Sequence, residues 1–324
     1  MVDSFSKIEI VYYSGTGGTA LAAKRLREAF HRSGCAAGIQ AVKDAAALPP
    51  HDLLLLIFPL HAFNAPEAVY TWLKNIPPVA GPTTGARAAV ISGPADGPIV
   101  GPAGGPIAGP ADGPATGVRA AVVSVSGGGD ISPNTAGRAS SIRLLEKKGY
   151  CVFYEGSLVM PSNIVVATPG PLAVRLLEIL PERAERIADD ILSGARRRPA
   201  PLLIDRLFSK LGEMEKPFAR SFGRKIKTSE ACRGCGWCAE HCPAGNISTE
   251  NGRAVFGNNC HLCLCCIYGC PCKALSPGSH KFLVIKEGFS IGLLEDLAPL
   301  KEPVDVDELA KGFLWSGVKK YFGS

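Results

Sequence analysis

From Lys7 to Gly194 the chain alternates short apolar runs with segments of helical period. Lys7-Ile-Glu-Ile-Val-Tyr-Tyr13 is rich in β-branched and aromatic residues and predicts a first strand. Ala20 to Ser33 follows, with Leu21, Ala22, Leu26, Ala29 and Phe30 at helical spacing. Gly38-Ile-Gln-Ala-Val-Lys43 reads as a second strand. Leu53-Leu-Leu-Leu-Ile-Phe58 is apolar throughout, as a parallel strand buried on both faces requires. Glu67 to Lys74 and Ser140 to Lys148 predict helices, and Tyr150-Cys-Val-Phe-Tyr154 predicts the fifth strand. Pro181 to Ser193 reads as a closing helix, with proline in its first turn and Gly194 at its end. This order predicts an α/β domain: a doubly wound, five-stranded parallel sheet with ligand at the carboxyl ends of its strands.

The fourth strand has two candidates. Gly85-Ala-Arg-Ala-Ala-Val-Ile-Ser92 recurs as Gly117-Val-Arg-Ala-Ala-Val-Val-Ser124, around a Gly/Pro-rich insertion at 93–116. Gly-Pro recurs there every four residues, so collagen, which needs glycine every third, is excluded. The second copy takes the sheet position, because it runs directly into Val125-Ser126-Gly127-Gly128-Gly129-Asp130. Residues 1–195 are thus the predicted first domain. A basic connector follows at 196–228, with a helix over Pro201–Leu211. Near the C-terminus Lys281-Phe-Leu-Val-Ile-Lys286 reads as a strand. Asp305-x-x-Glu308 reads as a capping box that opens an amphipathic helix with Leu309, Ala310, Phe313, Leu314 and Tyr321 on one stripe.

Composition adds bounds. At 324 residues the chain is long enough for about two domains, and 46% hydrophobic against 20% charged residues is globular. The start lacks a basic region followed by an apolar run, and the longest apolar run, Leu53–Leu60, is too short to span a bilayer. A cytoplasmic protein with no membrane span is the expectation. The net charge of +6 gathers between Glu182 and Lys227, notably at Arg196-Arg197-Arg198 and Arg224-Lys225-Ile-Lys227. No recognition motif accompanies it, so no nucleic-acid partner is expected.

The cysteines carry the most specific signal. Cys232-x2-Cys235-x2-Cys238-x3-Cys242-Pro243 is repeated as Cys260-x2-Cys263-x2-Cys266-x3-Cys270-Pro271. This spacing wraps three thiolates around one iron–sulfur cube and sends the fourth to another. Gly234 and Gly236 ease the tight turns. Zinc also binds Cys-x2-Cys pairs but does not require two complete runs. Over about fifty residues the pattern resembles bacterial two-cluster ferredoxins, which defines a predicted domain at 229–279 followed by a tail at 280–324. Carried over by position, Cys232, Cys235, Cys238 and Cys270 hold one 4Fe–4S cluster, and Cys260, Cys263, Cys266 and Cys242 the other. Cys265 and Cys272 are read as non-ligands, and Cys35 and Cys151 as ordinary cysteines.

Between the first strand and its helix lies Ser14-Gly15-Thr16-Gly17-Gly18-Thr19. Loop amides, small residues and the positive helix end form an anion cradle. Gly15-x-Gly17-x-x-Ala20 formally fits a dinucleotide fingerprint, but the acidic residue wanted at the end of the second strand is missing, with Asp44 lying too far on. The interleaved hydroxyls of Ser14, Thr16 and Thr19 instead resemble the flavodoxin phosphate loop, which implies bound FMN. In that fold Pro59 and the loop holding His61 and Phe63 line one face of the flavin ring, and Ser126, Gly127, Gly128 and Gly129 the other. The whole order then resembles a family of flavodoxin-domain plus bacterial-ferredoxin fusion proteins from anaerobes. Matching residues include Phe58-Pro59, Lys147-Lys-Gly-Tyr150 and Met160-Pro-Ser-Asn163; the Gly-Pro insertion, His61 and Gly18 depart from it. The resemblance implies an electron-transfer protein with FMN and two 4Fe–4S clusters, serving an unidentified redox protein partner. A flavin-dependent reductase of a small substrate and a redox sensor are the alternatives.

Overall fold

A computed structural model describes residues 5–79 and 118–323. The first repeat copy and the insertion at 93–116 lie outside the described residues. The N-terminal part runs β1 (Lys7–Tyr12), α1 (Gly18–Arg32), β2 (Ala36–Ala41), β3 (Leu53–Pro59), α2 (Glu67–Asn75), β4 (Arg119–Ser126), α3 (Ala139–Lys147), β5 (Cys151–Val159) and α4 (Gly170–Leu192). The strands form one parallel sheet in the order β2-β1-β3-β4-β5. This is the flavodoxin-like doubly wound order, whose switch point lies between β1 and β3. The second repeat copy is β4, as its sequence predicts. Leu53 through Phe58 are all buried, because helices cover both faces of the sheet: α1 and α4 on one, α2 and α3 on the other.

The closing helix differs from the expectation. It begins at Gly170, with Pro171 in its first turn, and carries Pro181 in its interior. An interior proline loses a hydrogen bond and costs about 3 kcal/mol. The helix persists because Leu172, Leu176, Leu180, Ala184, Ile187 and Ile191 bury one continuous stripe across the break. Each buried leucine or isoleucine contributes about 1.5–3 kcal/mol.

The basic connector folds into α5 (Leu203–Gly212) and α6 (Glu215–Arg224). Fully buried Asp205 of α5 accepts hydrogen bonds from the hydroxyls of Ser132 and Thr135, and Ser209 and Asn64 exchange two more. The cysteine-rich module follows: β6 (Lys227–Thr228), α7 (Trp237–Glu240), β7 (Ile247–Glu250), β8 (Arg253–Phe256), α8 (Cys265–Gly269) and β9 (Leu275–Ser276). Antiparallel pairs β6–β9 and β7–β8 enclose the two cysteine runs.

The tail corrects two expectations. Lys281–Leu283 is a 3-10 turn, not a strand; its one sheet-like bond is from the Val165 amide to the Leu283 carbonyl. The amphipathic helix is broken at Gly312, whose φ is +86°, leaving α10 (Val306–Leu309), a 3-10 turn at Phe313–Trp315 and α11 (Ser316–Phe322) after α9 (Ile291–Asp296). Asp305 does cap α10, accepting from the amides of Asp307 and Glu308. Ala310 and Val318 pack on Leu172, Leu176 and Val159, whereas Phe313 is 81% exposed. The tail therefore straps the flavodoxin-like domain. Among the described residues no helix is long and apolar enough to cross a membrane.

Candidate cofactor sites

The carboxyl ends of β1, β3 and β4 open onto one cavity of about 190 Å³. Ser14, Gly15, Thr16, Gly18 and Thr19 line it, with Pro59 and His61 from the β3 end and Ser126 and Gly127 from the β4 end. Gly17, at φ +97°, turns the chain into α1 and leaves the helix N-terminus without a side-chain cap. The amides of that first turn have no intrahelical partner and favour an anion. Ser14 Oγ is buried with no hydrogen-bond partner among the described residues. An orphaned hydroxyl beside uncapped amides is the donor set a phosphate group requires, so these residues fit the phosphate end of a flavin nucleotide.

Other predicted residues fall elsewhere. Phe63 is not in the lining; its ring packs edge-on against Phe208 of α5 with centroids 5.9 Å apart. Gly128 and Gly129 also lie outside it. Gly129 has φ +81°, its amide donates to Ser126 Oγ at 2.9 Å, and its backbone faces Gly317 of α11 so closely that a side chain would collide. That loop is anchored by buried Arg138, which binds Asp130, Ser124 and Glu155.

Several lining residues were not assigned to this cavity from the sequence. Ser162 and Asn163 follow β5, Glu215 opens α6, Leu262 and Cys263 come from the cysteine module, and Phe289 from the tail. Asn163 Nδ2 donates to Thr16 Oγ1 at 2.8 Å, while its carbonyl accepts from the Tyr268 hydroxyl at 2.8 Å. One residue, through its side chain and its backbone carbonyl, thus ties the hydroxyl loop to the cysteine module.

The thiols form two groups. Cys232, Cys235, Cys238 and Cys270 surround a small cavity of about 20 Å³, which Cys272 and Trp237 also line. The fourth cysteine of the second run has crossed to the first three of the first run. Cys242, Cys260, Cys263 and Cys266 form the other group. Burial pushes the thiols of Cys263 and Cys266 well up, and the charges of their neighbours, including Cys242, push further. Cys265 is close to this group; burial and then Cys242 push its thiol up to about 11. Among the described residues no three His, Cys, Asp or Glu side chains converge on a single metal-ion position. A donor set of thiols distributed around a cavity fits a cluster with several metal vertices.

The two sites touch. A Cβ on Gly15 would lie 2.5 Å from Cys263 Cβ and 3.4 Å from its sulfur, so only glycine permits this approach. On the other side a Cβ on Gly223 of α6 would lie within contact distance of the Cys260 sulfur, at 3.2 Å. Buried Tyr13, which follows β1, shares a 3.2 Å hydrogen bond with His261 Nδ1. Burial lowers His261 and drives His61 down to about 4, so both rings are neutral at neutral pH.

Glu215 is the acidic side chain in the cavity wall, and burial pushes its carboxyl up to about 7. A carboxyl raised above its ordinary value of 4.5 stabilises the fold fully below that value, and the contribution is lost as pH rises through about 7. Glu215→Gln is expected to remove that loss, gaining on the order of 1–3 kcal/mol over the wild type at the alkaline side. Thermal melts of both proteins across this window check it; parallel curves would assign the titration to another group.

Residues 226–248, which hold the first cysteine run, match the 4Fe-4S binding domain family. The chain therefore joins a flavodoxin-like domain to a 4Fe–4S binding module. No curated protein matches the chain. Among solved structures it is similar to a short-chain flavodoxin associated with a bacterial microcompartment, at 11% identity over 58% of this chain and 98% of that one, with a TM-score of 0.35. It is also similar to flavodoxin 2 from Bacillus cereus (14% identity, 58% and 97% covered, TM-score 0.34) and to the Streptococcus pneumoniae TIGR4 flavodoxin (11%, 58% and 99%, 0.33).

Proposed function

We propose that this is an electron-transfer protein that passes electrons between bound FMN and two 4Fe–4S clusters, on behalf of an unidentified redox protein, as the resemblance to flavodoxin–ferredoxin fusions implies. The contact of Gly15 with Cys263 carries this reading, because it sets a wall of the candidate flavin cavity directly against a candidate cluster ligand. Bound FMN exchanges one or two electrons and each cluster one, so the pair converts between two-electron and one-electron chemistry. In this reading Ser14, Thr16 and Thr19 hold the phosphate together with the first amides of α1. Pro59, His61, Ser126 and Gly127 bound the ring. Cys232, Cys235, Cys238 and Cys270 hold one cluster and Cys260, Cys263, Cys266 and Cys242 the other. Asn163 fixes the hydroxyl loop against the module, and neutral His61 adds no charge to the cavity.

Anaerobic reconstitution with iron, sulfide and FMN tests the proposal. About eight irons and one FMN per chain are expected. Stopped-flow bleaching of the flavin band after cluster reduction should be first order and independent of protein concentration. Ser14→Ala and Thr16→Ala each remove a partner of a charged group, on the order of 1.5–3 kcal/mol, so FMN affinity should fall several-fold or more with iron unchanged. A flavin rate proportional to protein concentration, or tighter binding of a dinucleotide than of FMN, would overturn the reading.

A further inference from the structure

Helix α5 is amphipathic in the inverted sense. Its inward face is polar: Asp205 is fully buried on Ser132 and Thr135, Ser209 bonds Asn64, and Gly212 meets the Ala62 carbonyl so closely that no side chain fits. Its outward face is apolar. Leu203, Leu207 and Leu211 recur at the spacing of one helical stripe and are 79%, 52% and 53% exposed, with Ile204 beside them at 51% and Met214, between α5 and α6, at 70%. A surface helix ordinarily turns such a stripe toward the core. Here the buried hydrogen bonds hold the helix the other way round.

The charges are sorted in the same sense. From Leu203 to Lys227 the exposed cations are Arg206, Lys210, Arg220, Arg224, Lys225 and Lys227, against Glu213 as the exposed acid. Asp205 and Glu215 are turned inward. Arg206 and Lys210 lie on the same side of α5, at the edge of the apolar stripe. The stripe is a ridge on the outer face of a helix, and none of its leucines lines the cavities described above. An apolar ridge edged by cations is the arrangement of a helix that lies in a membrane interface, with its apolar side in the acyl boundary and its cations at anionic headgroups. Antiparallel twofold packing of the stripe against a second copy would bring the Arg206–Lys210 edges of both copies together, which like-charge repulsion disfavours.

We propose that the exposed face of α5, with the cations of α5 and α6, docks the protein peripherally on an anionic phospholipid surface. Glu215 directly follows Met214 and lines the cavity at the β-strand ends, so docking would bring that cavity beside the lipid headgroups.

Co-sedimentation of the full chain with vesicles tests this. Vesicles of equal parts phosphatidylcholine and phosphatidylglycerol should bind it, and pure phosphatidylcholine vesicles should bind more than about tenfold more weakly. Leu203→Ser/Leu207→Ser, and separately Arg206→Ala/Lys210→Ala, should each weaken binding to the anionic vesicles by at least about tenfold. These positions are exposed, so far-UV circular dichroism should be unchanged, and a Leu207→Trp variant should blue-shift its emission on anionic vesicles only. Absence of vesicle binding, or equal binding to both compositions, would overturn the proposal. So would a dimer in sedimentation velocity that the Leu203→Ser/Leu207→Ser variant dissolves, because a second copy would then occupy the stripe.

Discussion

Gly15→Val is expected to slow electron exchange between flavin and clusters several-fold, because electron tunnelling weakens steeply with each ångström added between cofactors. The added Cβ would stand 2.5 Å from Cys263 Cβ, closer than two carbons approach, so the hydroxyl loop and the cysteine module must separate. Overpacking of this kind costs about 1–3 kcal/mol, which a domain of this size tolerates. Gly18→Ala is the control: its added methyl meets Met160 and Ile291 at 3.7–3.9 Å, an ordinary contact. Stopped-flow rates compared at equal flavin occupancy decide the matter. If Gly15→Val with both cofactors bound bleaches its flavin as fast as the wild type, the contact is not the electron route.

Loss of one cluster is the expected result of single cysteine replacements in either thiol group. Cys263→Ser and Cys270→Ser should each lower iron from about eight to about four per chain, because a cube bound by four thiolates loses a vertex ligand. The crossing of Cys270 into the first group adds a sharper expectation. Cys270→Ser should spare the cluster beside Gly15, and with it rapid flavin reduction, whereas Cys263→Ser should abolish both. Cys265→Ser should leave iron unchanged even though its thiol lies close to Cys242, since Cys265 stands outside the repeated spacing and points to the His241 carbonyl, 3.6 Å away. Iron and sulfide assays with electron paramagnetic resonance of the reduced proteins check this series. A halving of iron in Cys265→Ser would show that it, and not its neighbour Cys266, is a ligand.

The sheet and most of its helices were legible in the sequence, because strand and helix periodicities are local properties of ten or so residues. The same holds for the two cysteine runs and the hydroxyl loop, whose chemistry depends on spacing within one turn of chain. The closing helix was misread for a related reason: Pro181 is a local stop signal, and only the buried stripe from Leu172 to Ile191 overrides it. The orientation of α5 was beyond the sequence altogether. Its leucines have helical spacing, and nothing near them in the chain reveals that Ser132, Thr135 and Asn64 wait on the opposite side for Asp205 and Ser209. The tail shows the same limit, since Ala310 and Val318 are buried by α4 and β5, while Phe313 and Leu314 on the predicted stripe are turned out by the break at Gly312. Gly15 and Cys263 carry the point furthest. Each belongs to a motif readable by itself, yet their contact joins residues far apart in the chain, and only packing of the cysteine module over the ends of β1 and β3 brings them together. Spacing along the chain determines which atoms can hold a cofactor; the distance between the two candidate cofactor sites is set by tertiary packing, in which a missing Cβ at Gly15 decides how close they come.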